Sequence, residues 1–199
     1  MMNIWARWVA GVVTAVQALA GPALAAEPPV AEKAPIAVPQ PLACPTGTRS
    51  SREYAFSLMG NRAGYQTVCL QADGTRVVHF AYNDRGRGPA LTSKIHLDAK
   101  NVPVAITTDG NDYLKGPVAE RFTREAGTAA WQNKVESGTQ PVAGAAFYVS
   151  QSGSFEELGL LARALRDAPD RKLALLPQGE AALQQLSQLQ ISNGESSRQ

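Results

Sequence analysis

Residues 76–97 read Arg76-Val77-Val78-His79-Phe80-Ala81-Tyr82, Asn83-Asp84-Arg85-Gly86-Arg87-Gly88-Pro89, Ala90-Leu91-Thr92-Ser93-Lys94-Ile95-His96-Leu97. The outer segments alternate in the period-two manner of strands. In the first, Val77, His79 and Ala81 share one face, and Val78, Phe80 and Tyr82 share the other. Two glycines and a proline in the seven residues between them force a tight, non-helical corner. A connection this short joins antiparallel neighbours, because parallel strands need a long crossover. Two arginines and an aspartate are more charge than a bare turn needs. The corner is therefore either structural or a binding edge.

The same pattern extends in both directions. Tyr54, Phe56 and Leu58 alternate with Ala55, Ser57 and Met59, Gly60 to Gly64 reads as a hairpin loop, and Tyr65 to Gln71 as a second strand. Asp73-Gly74 is a strong hairpin signal. Beyond the corner, Lys100-Asn101, Asp109-Gly110-Asn111, Ala126-Gly127 and Gly138 punctuate further strands at Val104 to Thr108, Val118 to Glu125, Thr128 to Glu136 and Val142 to Val149. Ser154-x-x-Glu157 then has the form of a capping box. It opens a helix whose stripe Phe155, Leu158, Leu161, Ala162 and Leu165 is expected to face the core, and Ala168-Pro169-Asp170 stops it. Lys172 to Leu176 is a further strand. The expected fold is mainly β (α+β): a curled antiparallel meander of about eight to ten strands, covered by one amphipathic helix.

The N-terminus reads as a signal peptide, residues 1–25. An apolar run from Trp8 to Ala20 is shorter than the roughly 20 residues a membrane span needs, and Ala23-Leu24-Ala25 supplies small residues for cleavage. Loss of Arg7, the sole charge in residues 1–25, takes the formal charge from +2 to +1. The expected chain is thus exported and periplasmic, with no membrane attachment after cleavage. A near-neutral domain has no electrostatic footprint for nucleic acid. Residues 26–52 read as a Pro/Ala-rich linker, 53–192 as the antiparallel β-domain with its helix, and 193–199 as a disordered tail. Cys44 and Cys69, an even pair in an oxidising compartment, are either a disulfide or two free thiols.

No catalytic, cofactor or metal-binding set emerges. His79 and His96 are the two histidines. They form no His-x-His or His-Glu-x-x-His motif, His79 reads as a packed residue, and there is no Gly-x-Ser-x-Gly elbow. Gly86-x-Gly88 lacks the third glycine and following helix of a dinucleotide site. Glu120 and Arg121 must point to opposite faces of their strand. An inward Glu120 needs a partner, and Asp84, Arg85, Arg87 and Glu120 together make either a polar pocket or a structural ion pair. Phe122 and Trp131 are either lining for such a pocket or plain core.

Five segments resemble the N-terminal accessory region of exported bacterial amidohydrolase-family proteins. They are Tyr82 to Pro89, Gly116 to Phe122, Ala130-Trp131, Phe147-Tyr148-Val149 and Leu175-Leu176-Pro177-Gln178-Gly179. The resemblance implies a partner: a metal-dependent hydrolase barrel, which would bind divalent metal through ligands without counterparts in this chain. It also implies that the chain is a fragment or a detached accessory domain, non-catalytic by itself. The alternative is a periplasmic carrier or binding domain that holds a small apolar ligand on the concave sheet face.

Overall fold

Glycine and positive-φ residues set the strand boundaries. The computed structural model describes residues 37–189, 191–192 and 197–198. The expected signal peptide, the start of the linker and most of the tail lie outside these residues. Eight strands pair antiparallel, each with its sequence neighbour: β1 (Thr48–Leu58), β2 (Asn61–Gln71), β3 (Arg76–Tyr82), β4 (Ala90–Leu97), β5 (Pro103–Asn111), β6 (Pro117–Glu125), β7 (Thr128–Gln132) and β8 (Ser137–Pro141). Met59 and Gly60 link β1 to β2 with φ of 49° and 82°, and Ala126 and Gly127 link β6 to β7 with 48° and 77°. Paired positive φ values fit two-residue hairpins, whose twist matches that of the strands.

Several boundaries differ from the sequence reading. β1 opens at Thr48, inside the segment read as linker, and the first hairpin turn is Met59-Gly60 rather than Gly60 to Gly64. Gly110 lies within β5, where a side chain would collide with the Ala90 carbonyl. The break comes later, where Asp112 Oδ1 accepts from the Leu114 and Gly116 amides. Thr128 to Glu136 is not one strand. Asn133 folds it back, its Oδ1 accepting from the Val135 and Glu136 amides. Gly138 sits in β8, because a Cβ there would lie 2.5 Å from Trp131 Cζ2.

A smaller sheet follows. β9 (Ala146–Tyr148) leads into helix α1 (Phe155–Asp167), which returns to β10 (Lys172–Leu176). β10 pairs parallel with β9 and antiparallel with β11 (Glu180–Ala182). The helix supplies the long crossover that a parallel pair requires. Ile191–Ser192 and Ser197–Arg198 form a two-stranded antiparallel ribbon, β12 and β13.

The helix covers one sheet face, but not with the expected stripe. Leu160, Ala164 and Leu165 join Val78, Ile95, Ile106 and Phe122 in one core with Phe147, Tyr148, Leu173 and Leu176. Of the expected stripe, Leu165 is buried and Leu161 half-buried, whereas Phe155, Leu158 and Ala162 are exposed. The buried positions 156, 157, 160, 164 and 165 keep helical spacing but include Glu156 and Glu157. An apolar count therefore placed the stripe off by part of a turn. The capping box is present, its Glu157 half the better formed. Glu157 Oε1 accepts from the Ser154 amide at 3.1 Å, while Ser154 Oγ has no partner.

The opposite face is covered at β2 and β3 alone, by the chain before β1. Cys44 is bonded to Cys69, Asn83 Nδ2 donates to the Ala37 carbonyl at 3.1 Å, and Gln71 Nε2 donates to Thr48 Oγ1 at 2.8 Å. Residues 37–47 thus form a strap. Tyr65, Thr67, Cys69, Val77, His79 and Ala81, which share this face by register, are buried. His79 is packed as expected, its Nδ1 3.0 Å from Thr92 Oγ1, and burial lowers its pKa. His96 is exposed.

The bonded cysteines are 25 positions apart, and loop-closure entropy for such a ring is about 3.5 kcal/mol. The double change Cys44→Ser/Cys69→Ser is expected to lower unfolding free energy by about 2–4 kcal/mol in urea titration. Dithiothreitol should shift the wild-type midpoint and leave that of the variant unmoved.

Candidate functional site

Between the covered sheet face and the start of α1 lies a groove of about 510 Å³, within the roughly 300–1,000 Å³ range of small-molecule sites. Register builds its aromatic wall. Phe56 stands opposite Gly64, which stands opposite Tyr82. A Cβ on Gly64 would collide with the Ala81 carbonyl and with Tyr82, so glycine there lets Phe56 and Tyr82 stack, at 4.6 Å between centroids. Phe155 stacks on Phe56 at 5.6 Å and meets Phe80 edge-on at 5.3 Å. Leu91 and Tyr113 extend the wall, and Val149 and Leu158 complete the rim. Phe155 is 52% exposed and Leu158 60%, an apolar rim left facing water.

The opposite wall is the segment from Val149 to Ser154, and Glu120 holds it. Glu120 is 1% exposed. It accepts from the Tyr148 hydroxyl (2.9 Å), the Gln151 amide (2.8 Å) and the Ser152 amide (2.9 Å). Three donors on one carboxylate offset its removal from water. Tyr148 in turn stacks on Phe122, 4.4 Å between centroids and 5° from parallel. Burial and the hydrogen bond to Glu120 push the Tyr148 hydroxyl well above the ordinary phenol range.

The four expected site residues are not brought together. Glu120 points inward, as alternation requires, but bonds neither Arg85 nor Arg87. Its partners come from a loop more than twenty-five positions away, where backbone amides leave no compositional signal. Asp84, Arg85 and Arg87 form a separate structural corner. Asp84 and Arg87 exchange backbone hydrogen bonds of 2.8 and 3.0 Å around Arg85 and Gly86, whose φ values are 53° and 90°. Asp84 Oδ2 accepts from the Tyr113 hydroxyl at 2.6 Å, and Oδ1 accepts from Arg85 Nε at 2.9 Å. These two bonds lower the Asp84 pKa. Arg87 lies over the Tyr113 ring, 5.2 Å from its centroid, and Lys115 Nζ donates to the Gly88 carbonyl at 2.6 Å. The charge of the corner thus fixes Tyr113, a groove residue. Phe122 is core, and Trp131 covers Gly138 away from the groove.

The groove also has an acidic end. Glu157 lines it at 4% exposure, with Oε2 unpartnered. Burial raises its pKa, and the Glu120 charge adds to the rise. Among the described residues, no group of three or more His, Cys, Asp or Glu is arranged to hold a metal, and no helix is long and apolar enough to cross a membrane.

No protein-family model, curated protein or solved structure matches this chain.

Two predictions test the site. Glu120→Ala leaves the buried Tyr148 hydroxyl and two part-buried amides without their acceptor, and is expected to cost about 1–3 kcal/mol in denaturant unfolding and to speed amide exchange across residues 149–153. Glu157 has a folded pKa raised above its unfolded value. Its contribution is therefore complete below the unfolded pKa, near 4.5, and lost as pH rises through the folded pKa. Glu157→Gln retains a capping side chain. It should be more stable than wild type above that window and lose this advantage as pH falls to 4.5, as read by thermal melts across pH.

Proposed function

We propose that this chain is a non-catalytic exported β-domain that holds a small apolar ligand in the groove between its sheet and the start of α1. The observation carrying this reading is the aromatic wall of Phe56, Phe80, Tyr82, Tyr113 and Phe155, with Leu158 and Val149 left exposed at its rim. Apolar area in water forfeits about 25 cal/mol per Å², and a ligand seated there would recover it. The Cys44–Cys69 bond supports an oxidising, periplasmic destination.

A second reading makes the domain an accessory to an amidohydrolase-like barrel, packing against it or shaping substrate entry. The convergence of resembling segments favours it. Tyr82 and Pro89 line the groove, Gly116 to Phe122 carries Glu120, and Phe147 to Val149 forms the wall that Glu120 holds. Any divalent metal belongs to the barrel. Stoichiometric zinc with hydrolase turnover in the purified chain would overturn both readings.

Phe155→Asp alters an exposed ring, so the change in unfolding free energy should stay within about 1 kcal/mol. Affinity for N-phenyl-1-naphthylamine, read by fluorescence, is expected to fall at least about tenfold. Unchanged probe binding, with no lipid retained by the wild type in native mass spectrometry, would refute the apolar-ligand reading.

A further inference from the structure

On the β1 side of α1, beyond the aromatic groove, two guanidinium groups share one carboxylate and a third lines the same pocket. Register puts Ser50 and Arg52 on the covered face of β1, opposite Leu70 and Val68, and Arg76 of β3 stands opposite the same Leu70. The helix contributes Glu156 and Arg163. Glu156 Oε1 accepts from Arg163 Nη2 at 2.8 Å and lies 3.9 Å from Arg76 Nε. The Glu156 amide donates to Gln66 Oε1 at 3.1 Å, which pins the first helical turn over β2. Ser50, Arg52, Arg76, Glu156 and Arg163 line a pocket of about 240 Å³.

The charge there is unbalanced. Arg52, Arg76 and Arg163 bring three positive charges against one negative charge on Glu156. Arg52 makes no ion pair among the described residues. Arg76 is largely removed from water, with one-quarter of its side chain exposed. Burial lowers its pKa; the Glu156 charge opposes this, and the neighbouring Arg163 and Arg52 charges add to the lowering. A fold has no structural need to crowd a second and third guanidinium round a carboxylate that one would satisfy. The arrangement does suit an anion with several acceptor oxygens, because guanidinium forks donate in parallel pairs to phosphate and carboxylate. The first turn of α1 adds the positive end of its dipole.

We infer that Arg52, Arg76 and Arg163 form an oxyanion site for a phosphate or phosphate monoester, with Ser50 as a further donor and Glu156 holding the arginines apart. The site stands independently of the apolar groove. Two sources carry this chemistry: a free phosphate and a phospholipid headgroup.

Inorganic phosphate, titrated into the purified chain at constant ionic strength, tests the site by NMR of the arginine Nε–Hε resonances. Saturable shifts of Arg76 and Arg163 are expected with phosphate and not with chloride. Arg163→Gln and the exposed Arg52→Gln should each weaken binding about tenfold, the loss of one charge-assisted bond. Glu156→Gln should tighten it, which a purely structural cluster would not do. An equal response to chloride, or unchanged affinity in both arginine variants, overturns the inference. Pelleting with vesicles of phosphatidic acid in phosphatidylcholine, reversed by phosphate, would assign a headgroup. Phosphate binding without pelleting would assign a free oxyanion. Phe155→Asn, which removes the ring without adding a charge beside Glu156, should bind phosphate normally, so failure of the groove and failure of this site are distinguishable.

Discussion

The buried carboxylate of Glu120 is the constraint on which the candidate site depends. It ends a polar row that crosses the sheet by register, from Ser93 through Thr108 to Glu120. The Ser93 and Thr108 hydroxyls satisfy each other at 2.9 Å, which leaves Glu120 to satisfy groups outside the sheet. It does so by gathering Tyr148, Gln151 and Ser152. One ion therefore joins the eight-stranded sheet to β9, fixes the wall of the groove and sets where α1 begins. A buried charge is weak evidence for stability, because its desolvation is costly. Its value lies in specificity, since no other orientation of the loop would present two amides and a hydroxyl to the same carboxylate.

The sheet has two covered regions with different origins. The helix and the small sheet bury one face across β2 to β7, while the strap before β1 buries the other at β2 and β3. Strands β2 and β3 are consequently buried on both sides, and β3 reads as a nearly continuous buried run. This explains a packed histidine in an alternating strand. It also explains why β4 and β6 keep clean alternation, since their outer face meets water.

Local rules read the meander well. Asp73-Gly74 and Ala126-Gly127 turn where positive φ is needed, and the inward direction of Glu120 follows from period two. The misread parts depend on distant groups. Phe155 and Leu158 looked like core because apolar residues usually are, yet Glu157 took a buried place that an apolar count excluded. The parallel pairing of β9 with β10 is invisible to turn chemistry, since it is made across a helix. The prolines of the strap signal extended backbone, which a free spacer would share. Extended backbone serves equally well for lying along a sheet once Cys44 ties it there. The corner from Asn83 to Pro89 is legible in its excess of charge. That charge serves Tyr113, whose place in the groove depends on the later turn at Asp112 to Gly116.

Strand β1 lies at the sheet margin and is exposed along most of its length. Long unpaired margins of this kind invite exchange of strands between copies and edge-to-edge aggregation. Here the ring closed by Cys44 and Cys69 encloses the whole strand. Both ends of β1 are tied to the ends of its own neighbour, by the Met59-Gly60 turn and by the bond to Cys69. The strand cannot be traded to another molecule while the ring stays closed. The covalent link thus acts as a topological guard on assembly as well as a source of stability. A chain that folds before oxidation would pass through a period in which copies could interlock.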